Sequence, residues 1–405
     1  MINARLAISS SYPRATCRRD VLGAHFRPGN NLQNCTMSDC RIMESIDVAV
    51  IGGGVTGLAT AASLARRGFS TCALERHPRP GLDTSTHNSG VIHAGLYYPR
   101  ETLKTRLCIE GRPLLYHFCR AHSVDHQACG KIVVAHDDDE MNELHRLYTR
   151  GRENGVEGLE LVDRNVIARL EPNVQAKAGL LSRTTGIVDA EGLVRALFRS
   201  AEAAGAIVLC GTRLIGADAR PQGIALRTER ETILAAQVVN AAGLYADDVS
   251  ALLGGETFTI YPCRGEYVEL APAKRHLING LVYPVPHPSG HGLGVHVVRQ
   301  AGGAVWLGPT ALYRSRKDDY ETDRLPVDAF VEPARRLIPQ LRPGDLRLAG
   351  SGIRPKLHPP SESFADFMIR RDLSNPRVVQ AAGIESPGLT ACLAVGNLVS
   401  NIVAE

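Results

Sequence analysis

No two of the ten cysteines stand in C-x-x-C spacing; they are scattered at Cys17, Cys35, Cys40, Cys72, Cys108, Cys119, Cys129, Cys210, Cys263 and Cys392. That spacing signals neither a zinc site nor a disulfide framework, so no metal is expected and a reducing compartment fits best. No stretch reaches the roughly 18 consecutive apolar residues that a spanning helix needs, so any membrane contact is expected to be peripheral. Nor is there an excess of charge to speak of. Lys+Arg number 46 against 42 Asp+Glu, and the +4 difference sits within residues 1–42, where six Arg face two Asp. The remainder balances, and without a basic face no nucleic-acid partner is expected. Internal repeats with periods of roughly 20–50 residues are also missing, which sets aside solenoids and propellers. What is present is 405 residues, 44% hydrophobic and 22% charged, enough for two domains around a sizeable core.

The chain is organised around residues 46–76. Ile46-Asp47-Val48-Ala49-Val50-Ile51 is an apolar, β-branched run of strand length, followed at once by Gly52-Gly53-Gly54-Val55-Thr56-Gly57. This places GxGxxG on Gly52, Gly54 and Gly57 between a strand and a helix predicted over 55–67, the context a dinucleotide-binding turn requires. Gly52 permits the tight turn, Gly54 leaves room for a pyrophosphate, and Gly57 lets helix and strand pack closely. The helix N-terminus, with Val55 and Thr56, offers unpaired N–H groups to that pyrophosphate. A second strand is predicted over 70–74 with Glu75 at its tip, where a carboxylate can take both ribose hydroxyls and disfavours a 2′-phosphate. The stretch alone leaves FAD or NAD undecided.

Residues 1–44 show no strand or helix period and read as a disordered leader, either a transit peptide or the product of a mis-set start, with Met37 or Met43 as the true beginning. Residues 78–100 are too rich in small polar residues for a core helix and too long for a plain turn, so a loop laid along a ligand is expected. Helices are predicted over 102–122, 138–154 and 190–205, a strand over 131–135, and a small meander over 214–239. The meander closes on Ala241, Ala242 and Gly243, a second place for close backbone approach to a cofactor. Residues 258–308 change to alternating strands punctuated by proline, the pattern of an antiparallel sheet. Arg264, Glu266, Tyr267, Tyr283, His296 and Arg299 are its candidates for a pocket. Arg354, between Gly352 and Pro355, is expected in a fixed turn. A glycine-rich turn from Gly383 to Gly388 and Leu389 opens a last helix over 389–403 and offers a further polar-ligand site.

In this order the motifs resemble the D-amino-acid oxidase-like flavoenzymes. Within them, H-N-S-G-V-I-H-A-G-L-Y-Y at 87–98, L-K-T-R-L-C at 103–108, G-I-V-D at 186–189, R-G-E-Y at 264–267, Y-P-V-P at 283–286 and G-V-H at 294–296 are similar to the members that oxidise L-2-hydroxyglutarate. The resemblance covers about residues 45–403. It implies an α/β fold: a discontinuous Rossmann-like FAD-binding domain (45–110, 155–257 and 345–405) with a second, mainly antiparallel β substrate domain (111–154 and 258–344). It implies FAD, held by Gly52, Gly54, Val55, Thr56, Gly57, Glu75, Arg76, Ser89, Gly90, Ala242, Gly243, Gly352, Gly383, Gly388 and Leu389.

The implied reaction is oxidation of L-2-hydroxyglutarate to 2-oxoglutarate, with electrons passed to a quinone, another acceptor or O2. The protein would then be cytoplasmic, peripheral at the inner membrane, or mitochondrial if the leader is a transit peptide. A 2-hydroxy diacid needs two carboxylate sites, best made by guanidinium groups. Arg354 matches the carboxylate-binding Arg of the amino-acid oxidases, and Tyr283 and Arg264 are candidates for the distal carboxylate. The proton of the hydroxyl needs a base, for which His93 and His296 are candidates. His93 has a second reading as the attachment point of an 8α-linked flavin. The same fold acting on glycine, sarcosine, a D-amino acid or glycerol 3-phosphate is the nearest rival, and a non-catalytic FAD-binding module the rival of another class.

Overall fold

The computed structural model describes residues 45–286 and 294–405; the expected leader lies outside them. The organising stretch folds as read. Strand Ser45–Ile51 runs into helix Val55–Arg66 and returns as strand Thr71–Leu74, parallel to the first. The four buried residues Val48, Ala49, Val50 and Ile51 make a continuous apolar run, as a strand covered on both faces requires. Thr232–Asn240 pairs parallel on the other side of the first strand, and Ile207–Leu209 extends the sheet beyond Thr71–Leu74. Among the described residues this sheet has eight strands, including the antiparallel meander Leu214–Arg220, Gly223–Thr228 and Thr232–Asn240, with Val378–Ala382 and Met368–Arg371 added late in the chain.

Helix Gly388–Ala404 packs against both Val55–Arg66 and Leu103–Ala121. Small residues allow it: a Cβ on Gly396 would lie 2.7 Å from the carbonyl carbon of Ala59, and one on Gly111 would lie 2.6 Å from the Thr390 carbonyl oxygen.

A second sheet of nine strands, among the described residues, is built on Tyr261–Leu270, which pairs antiparallel with Leu346–Lys356 over most of its length. Four stretches sit otherwise than the sequence division expected. Leu159–Asp163 and Ala178–Ser182, placed with the cofactor domain, pair with Lys131–Ala135 in the nine-stranded sheet. Leu346–Lys356 also belongs to that sheet, so Arg354 stands in a strand and not in the fixed turn expected of G-I-R-P. Conversely, residues 111–121, placed with the substrate domain, belong to the helix packed on Gly388–Ala404. For the three strands the reason is common: sheet membership is settled by pairing between distant segments, which local periodicity does not encode.

The two sheets meet where Leu346–Lys356 passes the loop over 78–100. Thr84 Oγ1 donates to the Ile353 carbonyl at 3.0 Å, and a Cβ on Gly352 would fall 1.9 Å from the His87 carbonyl oxygen. Gly352→Ala is therefore expected to destabilise the protein by about 1–3 kcal/mol through forced backbone separation. Chemical denaturation with flavin fluorescence as a second probe checks this, and an unchanged midpoint would show that the strand shifts freely.

Candidate active site

A cavity of about 600 Å³ runs from the first glycine turn to the face of the nine-stranded sheet, a size ordinary for a ligand site. At one end the backbone forms a cradle. Gly52 has φ +116°, and a Cβ there would lie 2.4 Å from the Ala241 carbonyl oxygen; a Cβ on Gly57 would lie 1.9 Å from the Gly52 carbonyl oxygen. Both positions require glycine, the first for its dihedral angle and the second for helix–strand approach. Gly54 borders the cavity with Val55 and Thr56, and Ser85 Oγ accepts from the Val55 N–H at 3.0 Å.

Glu75 receives the Gly53 N–H on Oε2 and the His77 N–H on Oε1, each at 2.8 Å. Burial raises its pKa, and the two N–H bonds oppose that rise. Each oxygen retains a lone pair for a ribose hydroxyl. Ser89, Gly90, Ala242, Gly243, Gly352, Gly388 and Leu389 also border the cavity. Gly90 has φ +67°, and a Cβ there would meet the Val188 carbonyl oxygen at 2.5 Å. The glycine spacing, the buried acid and the helix N-terminus fit an extended dinucleotide.

Besides Gly57, two expected cofactor residues stand apart from the wall. Arg76 lies over the Tyr245 ring at 3.7 Å and bonds to Asp83, and Gly383, with φ +67°, packs on Leu357. Gly57, by contrast, acts from behind the turn, as its spacing implies.

At the other end stand His93, Tyr283, His296 and Arg354, all bordering the cavity and drawn from four separate segments. The Arg354 guanidinium donates to the Thr310 carbonyl at 3.2 Å and lies 3.9 Å from Cys263 Sγ, with no carboxylate in ion-pair contact among the described residues. His296 stacks on Tyr283 with ring centroids 3.8 Å apart. Its Nδ1 lies 3.2 Å from the Gly294 carbonyl, which can only accept, so the neutral ring carries its hydrogen on Nδ1 and leaves Nε2 bare. His93 Nε2 lies 3.3 Å from Ser386 Oγ, which lies 3.0 Å from Tyr98 Oη. Burial, reinforced by the nearby Lys131 ammonium, lowers His93 to about 3 and holds His296 well below the ordinary imidazole range.

Arg264 is not part of this wall. It is fully buried, bound to Glu266 at 2.7 Å and Asp319 at 3.3 Å, and donates to the carbonyls of Asp319 and Asp323. Alternation along Tyr261–Leu270 explains it: Gly265 and Tyr267 face the cavity, so Arg264 and Glu266 face away. Arg299 likewise turns elsewhere, donating to the carbonyls of Arg275 and Ile278.

Sequence reasoning missed several polar groups. Glu385, 8% exposed, binds Lys104 at 2.8 Å and Lys356 at 3.3 Å. Burial pushes its pKa up, but the two ammoniums and Arg354 outweigh burial and hold it below the usual carboxylate range. Lys131, opening the buried strand Lys131–Ala135, is not among the candidates named from the sequence; an ionisable residue at the head of an apolar run is the available signal.

Arg264→Met is expected to cost about 3–5 kcal/mol, because Glu266 would remain buried without its partner. The Arg264→Met/Glu266→Leu double variant should recover much of that loss. Urea midpoints for the two variants check the assignment; equal stability of Arg264→Met and wild type would contradict it.

The chain is 30% identical to L-2-hydroxyglutarate dehydrogenase, mitochondrial, of Nematostella vectensis over 430 residues, covering 93% of this chain and 94% of that one. It is 34% identical to the Arabidopsis thaliana protein of the same name, covering 88% of this chain and 83% of that one. The Escherichia coli (strain K12) L-2-hydroxyglutarate dehydrogenase is 28% identical, with 88% and 93% covered. Among solved structures, dithionite-reduced L-alpha-glycerophosphate oxidase from Mycoplasma pneumoniae with FAD bound superposes with a TM-score of 0.82 at 27% identity, covering 90% of this chain and 96% of that one. The model of the FAD dependent oxidoreductase (DAO) family matches residues 47–402. A glycine cradle that admits a dinucleotide, continued by a match over nearly all of the described chain, places this protein in the FAD dependent oxidoreductase family, with FAD as its cofactor.

Proposed function

We propose that the protein oxidises L-2-hydroxyglutarate to 2-oxoglutarate and passes the electrons on to a quinone, another acceptor or O2. The observation that supports this most directly is the composition of the cavity end opposite the glycine cradle: a guanidinium with no carboxylate in ion-pair contact among the described residues, beside two imidazoles held neutral. An anionic substrate satisfies the first, and a hydroxyl proton satisfies the second. The name shared by the relatives, one of them 34% identical over 404 residues, supports the same substrate.

Bound along Gly52, Gly54, Glu75, Ala242 and Gly388, FAD supplies the two-electron acceptor for the hydride leaving C2. The remaining work falls to the chain. Arg354 holds the C1 carboxylate by charge-assisted hydrogen bonds and so fixes which face of C2 is presented. His296, with a bare Nε2, takes the hydroxyl proton; His93, linked to Ser386 and Tyr98, is the second candidate. The half-buried to buried walls formed by Tyr97, Tyr98, Tyr267 and Tyr283 keep bulk water from the reacting carbon.

Anaerobic addition of L-2-hydroxyglutarate is expected to bleach the flavin band, whereas the D-enantiomer, glycine and glycerol 3-phosphate leave it; bleaching by glycine or glycerol 3-phosphate alone would sink the proposal. His296→Ala should slow the bleaching step by about 10²–10⁴-fold, and retention of the full rate would move the base role to His93. Both imidazoles stay unprotonated well below the ordinary value of 6.5, so the bleaching rate at saturating substrate should stay level from pH 8 down to about pH 5. Stability moves the other way. Unfolded histidine protonates near 6.5 while folded His93 resists to about 3, so folding free energy falls as pH drops through that window. Stopped-flow absorbance and urea titrations across pH 4–8 separate the two dependences.

A further inference from the structure

Lys131 is 2% exposed and has no carboxylate in ion-pair contact among the described residues. Its Nζ donates to Tyr97 Oη at 3.0 Å and lies 4.4 Å and 4.6 Å from the ring centroids of Tyr97 and Tyr283. Ring faces return part of the cost of burying an ammonium, but a buried charge without an anion is expensive. Lys104 and Lys356 differ in this respect, since both bind Glu385. Tyr97, Tyr283, His93 and His296 border the cavity, so Lys131 stands one side chain behind the wall. Because Tyr97 Oη accepts from Lys131, the phenol hydrogen is free for an acceptor in the cavity, and the ammonium behind it strengthens that donor.

A second anchor is needed for a dicarboxylate, and Arg264 cannot be it. Lys356 cannot easily be it either: it follows Arg354 by two positions on the same strand face, at the same end of the cavity. Lys131 and Arg354 both act electrostatically on His296. The two cations therefore flank His296, one for each end of a chain that bears an anion at both.

We propose that Lys131, acting through the Tyr97 hydroxyl, forms the subsite for the distal carboxylate of the substrate and makes the enzyme selective for 2-hydroxy diacids over 2-hydroxy monoacids. This rests on the diacid reading given above and names the residue that enforces it. Lys131 is a positioning residue, with Tyr97 as the contacting group. The groups facing its ammonium are Tyr97, Tyr283, Cys108, His93 and His296. Burial lowers Lys131 to about 7, with Cys108 opposing the shift. A carboxylate prefers the protonated form, so diacid affinity should weaken as pH rises above about 7, while monoacid affinity should not.

The experiment is calorimetric binding of 2-oxoglutarate and 2-oxovalerate, which differ in the distal carboxylate, to the FAD-loaded full chain and its Lys131→Met and Tyr97→Phe variants. Both substitutions should weaken 2-oxoglutarate by roughly tenfold to a hundredfold and leave 2-oxovalerate nearly unchanged. The fall in 2-oxoglutarate affinity between pH 6 and 8.5 should vanish in Lys131→Met. Equal weakening of both ligands, or of neither, overturns the subsite. If Lys131→Met fails to fold, Tyr97→Phe decides by the same comparison. A wild type that binds 2-oxovalerate as tightly as 2-oxoglutarate retires the subsite while leaving hydroxy-acid oxidation standing. A wild type that binds neither, with no flavin bleaching by any 2-hydroxy acid, removes the functional reading and this subsite together.

Discussion

The arrangement depends on one steric contact, the backbone of Gly352 lying against the His87 carbonyl. No side chain fits there, since a Cβ would stand 1.9 Å from that oxygen. The approach lets a strand of the nine-stranded sheet lie on the loop that leaves the eight-stranded sheet, with Thr84 Oγ1 fastening the next residue's carbonyl. Arg354 is two residues beyond Gly352, and His93 is six residues beyond His87. The two therefore end on the same cavity although they are far apart in the chain. The glycine cradle shapes one end of the cavity; this second glycine brings the Arg354 guanidinium to its wall.

Electrostatically the cavity is built by leaving certain charges incomplete. Glu385 satisfies Lys104 and Lys356, whose ammoniums, with Arg354, hold its pKa below the usual carboxylate range against the effect of burial. Arg354 has a carbonyl for a partner and Lys131 a phenol. The same burial that makes these cations costly also keeps the two imidazoles neutral, reinforced by the Lys131 ammonium. The cavity end thus presents two cations without a carboxylate in ion-pair contact, among the described residues, beside two unprotonated imidazoles. That combination follows from burial and the distribution of acids, and needs no unusual residue type.

Much of this was legible before the fold was known, but unevenly. The residues 46–76 unit could be read because glycine requirements and hydrophobic period are local: Gly52 needs its positive φ, and Val48 to Ile51 needs two covered faces. Arg354 was found by its motif even though its local structure, a strand and not a turn, was read wrongly. Arg264 was misplaced for a different reason. Its side of the strand is set by register against Leu346–Lys356, so Gly265 and Tyr267, one and three residues further on, face the cavity while Arg264 faces its own buried acids. Lys131 was overlooked because its meaning lies in the acid that does not stand beside it, and a missing partner cannot be seen along a chain.

By itself, then, the amino-acid order determined the dinucleotide turn, its helix, the acid that follows, and the segments from which polar side chains would come, because each depends on a few adjacent residues and the sterics of their backbone. Only the tertiary structure decided which sheet each strand joined, which face each side chain took, and which buried charges have no ion-pair partner among the described residues. Those outcomes are set by pairing and packing between segments separated by a hundred residues or more, as between His93 and Ser386 or Glu75 and its cavity partners across the fold.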